Sequence, residues 1–324
     1  MRTSTTPSGF QLQFSFSLPS PPEIHVEANT TLFRSGHIVV VGVPNTGKST
    51  LFNSLVGERL SIATPKPQTT RRTILGILTN ERAQMMFVDT PGLLDPAYRL
   101  HEFMRSQIDD ALEGADVVLA LVDASDLAGT FTEEIRSALG EIQLPLVVAL
   151  NKIDLVSERD LEQSLQHVRA SLATEHILPV SAQTGKHVLE LRGLLERLLP
   201  VGPKFYPEDT LTEEPERFFV EEQIREETFL RLRQEVPYAI AVQVEHFREE
   251  GTKIYIHANI IVERDSQKGI VIGKKGSTLK TIGKNARERI ERFLQHPVYL
   301  DLHVKVIANW RKSDAALRRL GYEV

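Results

Sequence analysis

The chain has 324 residues, 38 Lys+Arg against 43 Asp+Glu, 41% hydrophobic residues and no cysteine. Its length suggests about two domains, each with its own core, and the missing cysteine excludes disulfides, thiolate metal sites and cysteine nucleophiles. The formal net charge of −5 argues against a nucleic-acid partner only if the charge is spread evenly along the chain.

Residues 1–35 are rich in Ser, Thr and Pro with alternating Phe. They lack the basic start and apolar core of a secretory signal and are poor in Arg, so a disordered extension, or a start codon placed too early, is expected rather than a transit peptide. From residue 36 the pattern alternates. His37 to Gly42, Gln84 to Asp89, Asp116 to Asp123, Leu144 to Leu150 and Ile177 to Val180 read as short buried strands, with helical patterns starting near Lys48, His101, Thr132, Glu158 and His187. Such alternation implies a mostly parallel sheet covered on both faces. Apolar runs such as Asp116 to Val122 are far shorter than the roughly 18 residues of a membrane span. Four prolines between Pro200 and Pro215 break the periodicity and mark an interdomain linker over 204–216. Beyond it the order changes to helix, two strands, helical stretches and a strand, a small α+β domain over 217–324.

Gly42-Val43-Pro44-Asn45-Thr46-Gly47-Lys48-Ser49 fits G-x-x-x-x-G-K-[ST] at a strand-to-helix junction. Its glycines let backbone N–H groups wrap a phosphate, Lys48 can reach the terminal phosphates, and Ser49 offers a hydroxyl to Mg²⁺. This motif does not choose between ATP and GTP. Asn151-Lys152-Ile153-Asp154 does, because a carboxylate at Asp154 accepts both N1–H and 2-amino hydrogens of guanine but faces an acceptor in adenine, a discrimination of about 10⁴ to 10⁵. Ser181-Ala182-Gln183 is expected to close the base pocket with backbone donors. In Asp89-Thr90-Pro91-Gly92, Asp89 can hold Mg²⁺ through water and the Gly92 amide can bond the γ-phosphate. Within the polar loop 57–72, Thr70 is the candidate for a second Mg²⁺ hydroxyl, Thr69 is the rival, and a plain turn is the alternative.

The ordered set GVPNTGKS, PQTTR, DTPG, NKID and SAQ resembles the translation-factor class of P-loop GTPases. Leu93 stands where Ras-like enzymes place the Gln that orients water, so slow turnover is expected. Lys48, Thr70 and Gly92 would act by charge stabilisation and positioning, and no general base is visible. The resemblance also implies that Asn45 could coordinate K⁺.

Gly273-Lys274-Lys275-Gly276 precedes a helical stretch and follows the apolar run Gly269 to Ile272. In a G-x-x-G loop a single-stranded backbone can approach closely, with Lys274 and Lys275 facing phosphates and the run ending at Ile272 as an apolar wall for bases. The plainer alternative is an interhelical turn. The net charge divides into −6 for residues 1–203, −7 for 204–263 and +8 for 264–324, so the basic end is suited to phosphate contacts. The acidic stretch is expected to cover that basic face when RNA is absent. Asn309 to Tyr322 reads as a basic helix packing on the second domain, with Trp310 in its core.

This second domain resembles a type II KH domain, and from about Gly36 onward the chain resembles the Era family of bacterial GTPases. The resemblance implies a six-stranded, mostly parallel P-loop GTPase domain over 36–203, single-stranded RNA at the 3′ end of 16S ribosomal RNA, and assistance to assembly of the 30S subunit. It further implies a cytoplasmic monomer weakly attached to the inner face of the membrane. Two other classes stay open at this point: a structural RNA-binding module holding a guanine nucleotide with negligible turnover, and a membrane-surface adaptor that binds lipid through residues 309–324.

Overall fold

The computed structural model describes residues 32–93 and 95–322; most of the expected N-terminal extension lies outside the described residues. Strands buried on both faces need not alternate polar with apolar residues, and runs such as VVLALV form the centre of a six-stranded sheet. Its members are β1 (Arg34–Val41), β2 (Ile74–Thr79), β3 (Ala83–Asp89), β4 (Val117–Asp123), β5 (Leu146–Asn151) and β6 (Ile177–Pro179), in the order β2-β3-β1-β4-β5-β6. All neighbours are parallel except β2, which runs antiparallel to β3. β2 is the strand that the hydrophobic pattern did not name. Its short run is interrupted by Gly76, which is needed there because a Cβ would meet Phe52 and Val56 at 2.7 Å.

One face of the sheet is covered by α1 (Lys48–Val56) and α6 (Val188–Leu198), which bury Leu51, Phe52, Leu55, Leu191 and Leu195. On the other face lie α2 (Arg99–Glu113), the single turn α3 (Leu127–Thr130), α4 (Glu133–Gly140) and α5 (Glu158–Ser171), contributing Ile108, Leu139 and Val168. After α6 the chain does not leave the sheet. Segment 204–216 runs back along it: Gln84 Oε1 accepts from Phe205 and Tyr206 N–H at 2.7 and 2.9 Å, and Ile77 N–H donates to Leu211 O at 2.8 Å.

The second region contains α7 (Glu216–Arg231), β7 (Ala241–Glu250), β8 (Lys253–Val262), α8 (Asp265–Ile272), α9 (Ser277–Leu294) and β9 (Val298–Val306). β8 pairs antiparallel with β7 and parallel with β9. Strand alternation sends Ile254, Ile256, Ala258 and Ile260 to the face covered by α7, α8 and α9, where they meet Ile224, Val271, Ile282 and Ile290.

The C-terminal segment differs from its expected placement. It is a 3₁₀ turn followed by the short helix α10 (Asp314–Arg319), and it packs on both regions: Trp310, Leu317, Leu320 and Tyr322 share one core with Leu100, Phe103 and Met104 of α2. Trp310 is 0% exposed and its indole donates to Ala239 O at 2.9 Å. Among the described residues no helix is long and apolar enough to cross a membrane. Trp310→Ala is expected to cost about 3–5 kcal/mol and to expose the tail, measured by urea unfolding and limited proteolysis; an unchanged midpoint would mean that this shared core carries no stability.

Candidate nucleotide site and nucleic-acid groove

The phosphate loop spans the end of β1 and the start of α1. Lys48 is buried and its Nζ donates to Gly42 O and Val43 O at 2.9 and 3.0 Å, so the ammonium lies across the loop. Burial lowers its pKa to about 8, opposed by the charge of Asp89. Thr46 and Thr90 are fully buried braces, bonding Val43 O at 3.0 Å and Val40 O at 2.7 Å. The residues of the Asp89 motif return to the same loop: Leu93 N–H donates to Gly42 O at 3.1 Å, and a Cβ on Gly92 would meet Pro44 at 2.8 Å.

Three distant oxygens converge below this loop. Ser49 Oγ lies 2.8 Å from both Thr70 Oγ1 and Asp89 Oδ2, and Thr70 Oγ1 lies 3.4 Å from Asp89 Oδ2. Thr69 instead bonds Thr64 Oγ1 and Lys66 O, both at 2.7 Å, within its own loop. Burial raises the pKa of Asp89, against hydrogen bonds from Ser61 and Ser49 and the charge of Lys48. Its second oxygen, Oδ1, is buried with no protein partner. Two hydroxyls and a carboxylate with one unpaired buried oxygen suit a hard divalent cation.

Ser61, whose Oγ donates to Asp89 Oδ2 at 2.7 Å, carries no sequence signature. It is held by Asn53 of α1, whose Oδ1 accepts from Leu60 and Ser61 N–H at 3.0 and 2.9 Å. The cleft that results, about 520 Å³, is lined by Asn45, Lys48, Ser49, Thr70, Gly92, Lys152 and Gln183 among others.

On the base side, Asn151 is a staple. Its Nδ2 donates to Thr46 O at 2.8 Å and its Oδ1 accepts from Ala182 N–H at 2.9 Å. Lys152, with φ 64°, pairs with Asp123 at 2.5 Å, and buried Ile153 donates its N–H to Val180 O at 3.3 Å. Asp154 Oδ1 accepts from Ser181 Oγ at 2.5 Å, which fixes the orientation of the exposed carboxylate. The Ser181-Ala182-Gln183 expectation needs correction in one respect. Ser181 N–H donates to Lys186 O at 3.0 Å and Ala182 N–H to Asn151, so these two donors brace the loop in this structure.

The G-x-x-G element turns between α8 and α9. Gly273 and Gly276 have φ of 72° and 76°, and a Cβ on Gly276 would meet nothing within 4 Å, leaving that side open to a ligand backbone. Lys274 and Lys275 are exposed. A groove of about 400 Å³ follows, with Lys280, Lys284 and Arg287 on α9 and Leu300 and Leu302 on β9. Of the expected apolar wall, Val271 is buried in the core of the second region, Ile272 is partly buried against it and Ile270 is exposed, while Leu279, Leu300 and Leu302 line the groove. The acidic cover takes another form as well, since Glu226 and Glu227 of α7 pair with Arg289 of α9, each at 2.6 Å.

The two regions meet through the loop that carries Thr70. Arg71, 4% exposed, donates to Ile240 O and Tyr238 O at 2.5 and 3.1 Å and lies over the rings of Phe229 and Trp310. Arg72 donates to Leu320 O at 3.0 Å and covers the Tyr322 ring. Lys66 bonds the carbonyls of Phe229 and Leu232, and Arg99 of α2 pairs with Asp314 at 2.7 Å.

The family model described as 50S ribosome-binding GTPase matches residues 37–152, and the KH domain model matches residues 235–311. GTPase Era of Carboxydothermus hydrogenoformans is 42% identical over 292 residues, covering 90% of this chain and 98% of that protein. The chain belongs to the Era family of GTPases. A chloroplastic GTPase ERA-like protein of Arabidopsis thaliana is 40% identical, with 90% and 69% of the two chains covered. A crystal structure of Era in complex with MgGDPNP and nucleotides 1506–1542 of 16S ribosomal RNA superposes with a TM-score of 0.85 at 35% identity, over 90% of this chain and all of that one. Aquifex aeolicus Era Y63A bound to GDP.AlF4⁻ gives the same TM-score, identity and coverage. The Era-family fold is thus a P-loop GTPase domain followed by a KH domain. Asn151→Ala would leave Thr46 O and Ala182 N–H without their partner; it is expected to destabilise the site by about 1–3 kcal/mol and to weaken GDP binding about tenfold or more, read by calorimetry.

Proposed function

We propose that this GTPase is a switch that hydrolyses GTP, binds the 3′ region of 16S ribosomal RNA through the KH groove and assists assembly of the 30S subunit in the cytoplasm. The carrying observation is the adjacency of Thr70 and Arg71: one lies in the oxygen cluster with Ser49 and Asp89, the next is buried in the KH domain. Any change in the nucleotide that moves Thr70 pulls on the RNA-binding domain. The Era structure that carries both MgGDPNP and 16S RNA supports the pairing of ligands. Attachment to the inner membrane surface rests on the family resemblance alone, and a monomeric state is the simplest form of the proposal.

Ser49, Thr70 and Asp89 would hold Mg²⁺, Asp89 through water. When bound, the ion supplies positive charge beside the β- and γ-phosphate oxygens. Lys48 is placed to neutralise charge on those oxygens. Backbone N–H groups from Asn45 to Ser49 and at Gly92 orient them. Leu93 offers no group to position water, so slow turnover follows. Asn45, exposed at the mouth of the cleft, would hold K⁺. Asp154, oriented by Ser181, would read the guanine edge, with Asn151, Lys152 and Ala182 shaping the pocket and Gln183 at its rim. In the KH domain Ile272 supports the loop from behind, while Gly273, Lys274, Lys275 and Gly276 contact the RNA backbone.

Asp154→Asn is expected to move preference from GTP towards xanthosine triphosphate in competition binding; unchanged preference would remove Asp154 from the base pocket. Phosphate release tests the switch. An RNA ending in the 16S 3′ sequence should accelerate it, KCl should support it better than NaCl, and Lys274→Asp with Lys275→Asp should abolish the RNA effect while GTP affinity stays. Arg71→Lys, which cannot reproduce the two-pronged carbonyl contact, should lower RNA-stimulated turnover towards the unstimulated rate with RNA affinity unchanged. Full stimulation in that variant would place the coupling elsewhere.

A further inference from the structure

The outer face of the KH sheet, opposite its helices, is covered unevenly. The C-terminal segment packs on the half that carries Ala241 and Ile261. The other half exposes Tyr255 and Tyr299 and, beside them, gathers His257, Asp301 and His303. His257 and Asp301 are direct partners in the parallel β8/β9 register, and His303 lies two residues further along β9, hence on the same face. We propose that these three residues form a binding site for a borderline divalent metal ion of the Zn²⁺ class, separate from the nucleotide site.

Four observations carry this. First, the donor atoms already converge: His257 Nδ1 lies 2.9 Å and His303 Nε2 3.1 Å from Asp301 Oδ2, and one ligand atom from each residue falls within 4.8 Å of the others. Ligand atoms around tetrahedral Zn²⁺, bound at about 2.0–2.2 Å, stand about 3.3–3.6 Å apart, so the two short contacts open by about 0.2–0.7 Å while the two imidazole nitrogens, within 4.8 Å of each other, draw together. Second, the other ring nitrogen of His257 faces a carboxylate. Its Nε2 lies 3.3 Å from Glu245 Oε2, and the other oxygen of Glu245 pairs with Lys305 at 2.5 Å. A carboxylate on the far nitrogen of a ligating imidazole fixes the tautomer that leaves Nδ1 free for metal. It also offsets the charge of Lys305.

Third, the two imidazoles already stand side by side, with the ring centroids of His257 and His303 4.8 Å apart. Fourth, Asn259 lies two residues from His257 on the same face and opposite His303 in register. It is 0% exposed, and its amide oxygen is buried without a hydrogen-bond partner. An unpaired buried amide oxygen beside the cluster marks a place where the local polar network is incomplete.

The donor set selects the ion. Two imidazoles and one carboxylate suit Zn²⁺ and its neighbours in the transition series, whereas Mg²⁺ and Ca²⁺ prefer oxygen alone. Three protein ligands leave a fourth position, which faces solvent beside the 56%-exposed side chain of His303.

The test titrates ZnCl₂ by calorimetry into the untagged full chain, freed of trace metals and saturated with GDP and excess Mg²⁺. One Zn²⁺ equivalent is expected, with affinity at least about tenfold weaker in His303→Ala and in Asp301→Asn, and about 10- to 100-fold weaker in Glu245→Gln. His303 is exposed, so its replacement should leave the fold intact, checked by unchanged GDP affinity. Co²⁺ in place of Zn²⁺ should give visible absorption that His303→Ala removes. No Zn²⁺ binding, or binding that both His303→Ala and Asp301→Asn leave unchanged, overturns the site.

Discussion

The two halves of this molecule depend on a cation buried away from water. Arg71 is held by two carbonyls and two aromatic faces that all belong to the KH side, while its own backbone belongs to the loop that completes the metal cluster. Burying an ionised group is costly unless it is hydrogen-bonded, and the two carbonyls and two ring faces around this guanidinium hold it against the KH side. That constraint makes the loop carrying Thr70 a strut between two ligand sites. Around it, Lys66, Arg72 and the Arg99–Asp314 pair add contacts of the same kind, and α2 adds an apolar core shared with the C-terminal segment. The nucleotide cleft and the KH domain are therefore joined through side chains, not only through a connecting peptide.

Charge is distributed to the same end. The basic surplus of the last 61 residues is not wholly available to RNA, because Arg289 is engaged by Glu226 and Glu227, and Arg311 by Glu263. The exposed lysines at the G-x-x-G turn and along α9 are what the groove presents. Acids of the preceding stretch thus act as internal partners that fix α7 against α9, and they sharpen where positive potential emerges.

The parts that were legible in the sequence were those in which neighbouring residues do the chemistry. A phosphate loop is a contiguous backbone, so Gly42 to Ser49 announce it, and the alternation of strands and helices announces the sheet. Contacts between distant residues were not legible. Ser61 and Asp89 are 28 positions apart and serine is common in polar loops, so nothing marked Ser61 in advance. Thr70 was named ahead of its neighbour Thr69, and the loop's turn does place it beside Ser49 and Asp89. The amides of Ser181 and Ala182 looked available because their partners, Lys186 and Asn151, are fixed only by tertiary structure. Ile272 looked like a groove wall because an apolar run does not reveal which way a helix faces. The tail showed its basic character but not its contact with α2, because a short amphipathic segment carries no record of which surface it covers.

The segment between the two regions also has a consequence for solubility. β2 is the outer strand of the sheet, and an outer strand offers a row of unpaired amides and carbonyls on which another chain can add. Here Leu211 O takes the N–H of Ile77, and the Thr212 hydroxyl takes Leu75 O at 2.7 Å. The segment that joins the two regions is therefore also a selvedge: it finishes the border of the sheet, so cleaving it would expose a strand that other copies could extend.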